Sequence, residues 1–291
     1  MRTAAVTCAW MLIPCVVALI AVCFCAWGGG AAAAPRSDSG PSPFVRDGFE
    51  HGLGRPWNDT PAGRSELFRL VRGYRSPKAL ALVVTPSGYG PVAGSEMTAV
   101  SVPSDFARAG WGSETSTDTW YHMRIRFPRG RYKPTRGAWN WLVEWHNDSR
   151  TSSFAHAYSI AMGVLTDYKQ APDAVTPGRR PRLFLRLLGG NVTDPESFTV
   201  KLRANSLRYN HWYDILFHFV WSPDPKIGLA EWWVNGKQRA SVAFPTLYTL
   251  PDGTHSFNGF GLYNYRLHAP WTSEVDFDDV ALGPDWASVR R

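Results

Sequence analysis

Glu144-Trp145-His146-Asn147 is the stretch of the chain best suited to proton chemistry. On an extended strand Glu144 and His146 project from the same side, about 6.5–7 Å apart at Cα, so a carboxylate and an imidazole would address one ring-sized ligand together. The imidazole changes charge near neutral pH, which fits it to accept or deliver a proton. An ordinary solvated Glu-His pair has the same spacing. A second candidate is Phe257-Asn258-Gly259-Phe260-Gly261-Leu262-Tyr263-Asn264-Tyr265-Arg266. A period of two puts Tyr263 and Tyr265 on one face with Gly259 and Gly261, and glycines inside a strand let a ligand lie close to the backbone. The plain alternative is a glycine-relieved bend with the tyrosines as core or rim aromatics.

The elements that would hold these residues are strands. The 291 residues include 14 Trp, 15 Phe, 11 Tyr, 26 Gly and 22 Pro, with 44% hydrophobic and 19% charged residues. That composition excludes a disordered tail or a coiled coil and favours a β fold rich in turns. Strand patterns recur at 79–85, 97–103, 120–127, 139–146, 155–162, 182–188, 198–202, 212–221, 229–234, 258–265 and 274–282. No window of helical length has a clean 3.6-residue period, and no internal repeat is visible. Asn235-Gly236, set between Trp232-Trp233-Val234 and Lys237-Gln238-Arg239, predicts a type I′ hairpin, because both central residues of that turn need positive φ. About eleven strands in one run indicate an all-β, two-sheet antiparallel sandwich of jelly-roll type.

Alternation separates the faces of these strands. In 139–146 it assigns Trp139, Trp141, Val143 and Trp145 to the inter-sheet core, and Asn140, Leu142, Glu144 and His146 to the opposite face. In 120–127, Tyr121, Met123, Ile125 and Phe127 oppose His122, Arg124 and Arg126. In 182–188, Leu183, Leu185 and Leu187 oppose Arg182, Phe184 and Arg186. Several strands therefore carry a wet, mostly basic face, and the pattern does not distinguish a cleft from a convex back.

All four cysteines (Cys8, Cys15, Cys23, Cys25) lie in the first 25 residues, and Arg2 is the only charge before Arg36. The apolar run from about 4 to 27, followed by small residues at 28–34, reads as a secretory signal over 1–34 cleaved near Ala33 or Ala34, in preference to an uncleaved anchor. Val22 fits a lipoprotein site at Cys23 poorly. A Pro/Ser/Gly linker over 35–45 and a folded domain over 46–285 follow. The formal charge is +7; loss of Arg2 with the leader leaves 30 basic and 24 acidic residues, or +6. The mature chain then holds no disulfide, zinc-thiolate site or thiol nucleophile. A basic exported protein is biased toward acidic partners.

The ordered motifs Phe49-Glu50, Ser95-Glu96-Met97, Trp120-Tyr121 through Phe127-Pro128, Glu144-Trp145-His146, His211-Trp212-Tyr213-Asp214-Ile215, Trp221-Ser222-Pro223-Asp224, Trp233-Val234-Asn235-Gly236-Lys237 and Gly261-Leu262-Tyr263 look like those of the jelly-roll polysaccharide lyases. The likeness is nearest to the heparin lyase I-like and glucuronan lyase-like group, with alginate lyases more distant. It spans roughly 44–282 and is strongest from Trp212 to Lys237, which is scaffold. It implies a concanavalin A-like sandwich that cleaves uronate-containing chains by β-elimination: the uronate carboxylate is neutralised, a base removes the C5 proton and an acid protonates the leaving oxygen at C4. Carried onto this sequence, His146 would be the base. Tyr263 would be the acid, or a base if cations lower its pKa from about 10. Glu144, Asn147, Arg124, Arg186 and Tyr265 would bind substrate.

Three positions depart from that family's pattern. Glu144 stands where it usually has Gln, Gly94 where an arginine precedes Ser-Glu, and Gly259 where the alginate type has a lysine. Neutralisation of the substrate carboxylate would then fall to Asn147, Arg124, Arg126 or Arg186. Rival readings are a non-catalytic carbohydrate-binding sandwich and, less well matched, a glycoside hydrolase using Glu274-Val275-Asp276-Phe277-Asp278. Those acids would otherwise face solvent or a calcium ion. The arginine-rich runs 124–136 and 179–186, interleaved with aromatics, also suit nucleic acid, but export favours a polyanionic glycan. The expectation is therefore a secreted monomer acting on acidic polysaccharide, with no nucleic-acid partner, no stable membrane insertion after cleavage and no cofactor beyond a structural calcium ion.

Overall fold

The computed structural model describes residues 43–54, 56–60, 67–86, 90, 94–101, 118–136, 139–147, 151, 158–166, 177–256 and 258–290, with side chains undescribed at 58–60 and 258. The proposed leader and all but the end of the linker lie outside these residues. Among the described residues the chain forms sixteen strands and one short helix, in two sheets. It is an all-β antiparallel sandwich with jelly-roll architecture.

The back sheet has the order β13 (Lys237–Ala243), β12 (Leu229–Val234), β11 (Trp212–Val220), β6 (Asp118–Arg126), β16 (Ser273–Gly283), β4 (Ala79–Val84), β3 (Phe68–Val71), with β1 (Val45–Asp47) also on β16. The front sheet runs β10 (Asp194–Lys201), β9 (Arg182–Asn191), β8 (Tyr158–Leu165), β7 (Trp139–Asn147), β15 (Asn258–Leu267), β5 (Ser95–Ser101), β2 (Asn58–Thr60). The remaining strand, β14 (Tyr248–Thr249), lies parallel to β9. The helix α1 (Trp286–Val289) is capped by Asp285 and buries Val289 against the outer face of the back sheet.

Period-two patterning builds the core. Tyr121, Met123, Ile125 and Phe127 meet Leu183, Leu185 and Leu187 and the inner residues of β11 and β8 in one apolar layer. At its centre Trp145 packs edge-on against Tyr121 (5.2 Å), Phe217 (5.0 Å) and Phe219 (4.8 Å), tying the middle strand of the front sheet to two strands of the back. Each such fully buried large apolar side chain contributes about 1.5–3 kcal/mol. The Asn235-Gly236 turn is present with φ of 52° and 73°, as type I′ requires. Asn235 also exchanges hydrogen bonds with Asp214 on β11.

Some elements differ from the sequence pattern. The strand expected at 155–162 runs on to Leu165 and that expected at 97–103 begins at Ser95; 155–157 and 102–103 lie outside the described residues. The strand at 198–202 extends back to Asp194 and pairs with β9 as a hairpin. Its mostly exposed polar residues and Pro195 hid it, since proline belongs at the edge or start of a strand and this is an edge strand.

Candidate active site

β7 sits between β8 and β15, and a bulge in it decides which side chains face outward. Its pairing shifts between Trp141 and Val143 against β8, and between Leu262 and Tyr265 against β15. The extra residue breaks the alternation, so Leu142, Val143 and Trp145 all enter the inter-sheet core. Trp139 and Trp141 are therefore not core partners of Trp145, as strict alternation predicted. They lie on the outer face with Tyr263, Tyr265, Phe184 and Ala161. Trp139 meets Tyr265 edge-on at 4.7 Å, and Trp141 packs on Phe184 at 4.8 Å and Tyr158 at 5.3 Å. Gly163 beneath this cluster has no room for a Cβ, which would meet Trp141 and Phe184 at 3.1 Å. Below the bulge, Asn140 donates to Asn264 Oδ1 (3.2 Å) and Tyr265 O (3.1 Å), while Asn264 donates to Leu82 O and Ser273 O in the opposite sheet.

Glu144 and His146 emerge on the same outer face as these aromatics. Glu144 is 1% exposed and its Oε2 lies 2.6 Å from His146 Nε2; the imidazole is 40% exposed. The His146 and Tyr263 rings stack with centroids 5.5 Å apart and planes 24° apart. The two residues singled out from distant stretches thus meet on one face of one sheet. Gly261 does not leave space for a ligand, as the sequence pattern suggested. The Tyr263 ring itself occupies that space, with its hydroxyl 2.8 Å from where a Gly261 Cβ would stand.

Burial, reinforced by the Glu144 carboxylate, holds the Tyr263 phenol well above its usual range. Tyr263 is therefore protonated at neutral pH. A phenol in that state can donate a proton, and both its burial and the neighbouring carboxylate act against the lowering that a tyrosine base would need. Tyr158 is pushed up to about 12, chiefly by burial, against an opposing effect of Arg186. Burial also raises Tyr265; a hydrogen bond with Ser95 opposes this and Glu144 adds to it. Arg186 is partly exposed on the outer face of β9, in register with Ala161, which is in turn opposite Glu144. Strand spacing puts it about 10 Å across the floor from Glu144. Lys201 on β10 pairs opposite Phe184, on that same face. Asn147 ends β7 opposite Asn258.

Arg124 is not part of this site. It projects from the outer face of the back sheet, on the far side of the sandwich, where it pairs with Asp279 (2.9 Å) and Asp214 (3.3 Å) and covers the Tyr74 ring (3.8 Å). Alternation separated the two faces of β6 correctly but cannot say which sheet borders a cleft. Arg126 is likewise held by Asp276 (2.7 Å). The hydrolase-like acids of β16 are neither solvent-facing nor free. Glu274 pairs with Arg69 and Arg131, Asp276 with Arg126, and Asp278 accepts from Tyr74 N and Ser76 Oγ. Among the described residues no group of three or more His, Asp or Glu side chains could hold a metal ion, and no helix is long and apolar enough to cross a membrane. Sequence reasoning missed Trp139, Trp141 and Tyr158 as members of the outer-face aromatic cluster, whereas it did place Phe184 on that face with Arg186. The adjacent apolar pair Leu142-Val143, which no strictly alternating half-buried strand contains, was the available signal.

Residues 80–279 match the polysaccharide lyase family model, and the chain belongs to that family. In fold it resembles the endo-β-1,4-glucuronan lyase of the fungus Trichoderma reesei, at 13% identity and a TM-score of 0.54 over 80% of this chain and 96% of that one. It also resembles the alginate lyase Aly36B, in a mutant form solved with an alginate trisaccharide, at 13% identity and a TM-score of 0.53 over 84% of this chain and 99% of that one. No curated protein matches the chain in sequence.

Proposed function

We propose that this polysaccharide lyase acts outside the cell on a uronate-containing acidic glycan, cleaving it by β-elimination with His146 as base and Tyr263 as acid. The carrying observation is the stacking of a partly exposed imidazole on a largely buried phenol, ring centroids 5.5 Å apart, on one outer face. His146 takes the C5 proton, the C5–H electrons form the C4–C5 double bond, the C4–O bond breaks, and Tyr263 gives its proton to the departing oxygen. Proton return from imidazolium to phenolate through solvent restores both groups, so nothing is consumed beyond the substrate. Charge that develops on the substrate carboxylate in the transition state needs a fixed cation or donor; Arg186, on the same outer face, and Asn147, next to His146 in the chain, are the candidates for it. Trp139, partly exposed over the buried rings of Trp141 and Tyr265, offers its ring to a neighbouring sugar. Export rests on the apolar leader and small-residue run over 1–34.

Both proton-transfer groups approach the sugar from one side, which suits syn elimination and hence uronates whose C5 proton and C4 oxygen lie on the same ring face. Glucuronan and mannuronate-rich alginate meet that condition; guluronate-rich alginate does not. Purified protein incubated with these three and with heparin is expected to generate ultraviolet absorbance from unsaturated uronate, fastest on the first two. Reducing ends without absorbance would mean hydrolysis. Binding without any product would mean a carbohydrate-binding sandwich, the reading that the substitution of Glu144 for a neutral amide favours.

A further inference from the structure

We infer that Glu144 does not bind substrate but positions His146, turning Nε2 into the sheet wall and leaving Nδ1 toward the cleft as the nitrogen that accepts the proton; this rests on the β-elimination reading above. Glu144 is 1% exposed, so a ligand larger than water does not reach it. Its Oε2 is engaged by His146 at 2.6 Å, and its Oε1 is buried with no hydrogen-bond partner among the described residues. A carboxylate in that setting acts on the outside only through the one group it holds, and a buried charge without such a partner is costly. An ionised carboxylate only accepts hydrogen bonds, so Nε2 must carry the donated hydrogen and the neutral ring keeps its lone pair on Nδ1. When Nδ1 takes a proton, the resulting imidazolium forms beside a fixed negative charge, the same logic by which an aspartate supports the histidine of a serine-protease triad.

The groups around the pair are consistent with that division of labour. Tyr158 faces it from β8, Tyr263 and Tyr265 from β15, and Arg186 lies beyond Tyr158 on β9. Among the described residues none of these tyrosines hydrogen-bonds Glu144, whose one such partner is His146. A family amide at this position could address a substrate carboxylate directly; a buried carboxylate hydrogen-bonded to the base cannot, and Arg186 and Asn147 remain for that task.

The test uses the full chain with ¹⁵N-labelled histidine, alongside the near-isosteric Glu144→Gln variant, whose folding is verified by an unchanged β-type circular dichroism spectrum. The wild type should show a downfield proton on His146 Nε2, assigned by its loss in His146→Asn, that moves upfield or disappears in Glu144→Gln. With the best-cleaved glycan, Glu144→Gln should lower kcat by about 10²-fold or more while KM changes less than about twofold. Glu144→Asp should recover part of that loss. A hydrogen-bonded proton on Nδ1, no such resonance in the wild type, or a raised KM at unchanged kcat in Glu144→Gln would overturn the inference. If the resonance behaves as expected but no glycan is cleaved, the pairing stands and the elimination reading falls.

Discussion

The acids of β16 and Glu144 of β7, on opposite outer faces of the sandwich, are held in opposite ways. On the back sheet, Glu274 and Asp276 have arginine partners, Asp278 accepts from a backbone amide and a serine, and Arg124 is shared between Asp214 and Asp279. On the front sheet, Glu144 has one hydrogen-bond partner among the described residues, His146, and lies beside the rings of Tyr158, Tyr263 and Tyr265. A carboxylate already answered by arginine has little left to offer a ligand. A carboxylate answered only by a titratable ring can pass its influence outward through that ring. Acids at alternate positions on a strand therefore do not mark a catalytic site by spacing alone; what their oxygens touch separates framework from chemistry.

The largest expected effect that sharpens this contrast is catalytic. His146→Ala or Tyr263→Phe should lower the rate of unsaturated-uronate formation by about 10²–10⁴-fold. Tyr263→Phe should leave the melting temperature nearly unchanged, whereas His146→Ala should lower it, because Glu144 then loses its partner. Arg124→Gln, on the other face, should leave that rate unchanged and cost about 1 kcal/mol or less of stability in denaturant titration. Equal losses in both would break the comparison.

A second difference should appear in acid titration of stability. Burial, with Asp279 adding to it, raises Asp278 above its ordinary 3.8, against hydrogen bonds from Tyr74 N and Asp279 N. A carboxyl that is harder to ionise when folded favours the fold while protonated, and that contribution is lost as pH rises through its folded-state value. Each unit of such a shift is worth about 1.4 kcal/mol. Asp278→Asn should therefore flatten the fall in stability with rising pH above about 4, measured by denaturant midpoints across pH. Asp214 has the opposite sign: although burial raises it, His122 and Arg124 bring it below 3.8, so its contribution is lost as pH falls. The smallest effect concerns the aromatic floor. Trp139→Ala should raise KM by on the order of fivefold, about 1 kcal/mol of lost stacking, with kcat retained.

Much of this was readable from alternation. The inner rows of β6 and β9 and the Asn235-Gly236 hairpin followed directly from period two and turn chemistry. The bulge in β7 was not foreseen, because strict alternation fits the indoles of Trp139 and Trp141 to the core as well as to a cleft. Only the pairing with β8 and β15 shows that the face switches at Leu142. The meeting of His146 with Tyr263 was legible through family likeness, since 117 residues separate them and no spacing rule spans that gap. The irrelevance of Arg124 was invisible for the same reason that its face was legible: alternation is a property of one strand, and the side of the molecule it serves is a property of two sheets.

The linked amides of Asn140 and Asn264 bear on evolution and engineering. A one-residue slide of β7 past its neighbours would rotate every side chain beyond the bulge by half a turn, sending the imidazole inward and the indole of Trp145 out to water. Because Asn140 bonds β15, and Asn264 anchors β15 to backbone carbonyls of the facing sheet, such a slide breaks both connections at once. Redesign of this face can therefore vary its exposed positions, but replacing either asparagine by an apolar residue would unlatch the register that decides which way Glu144 and His146 point.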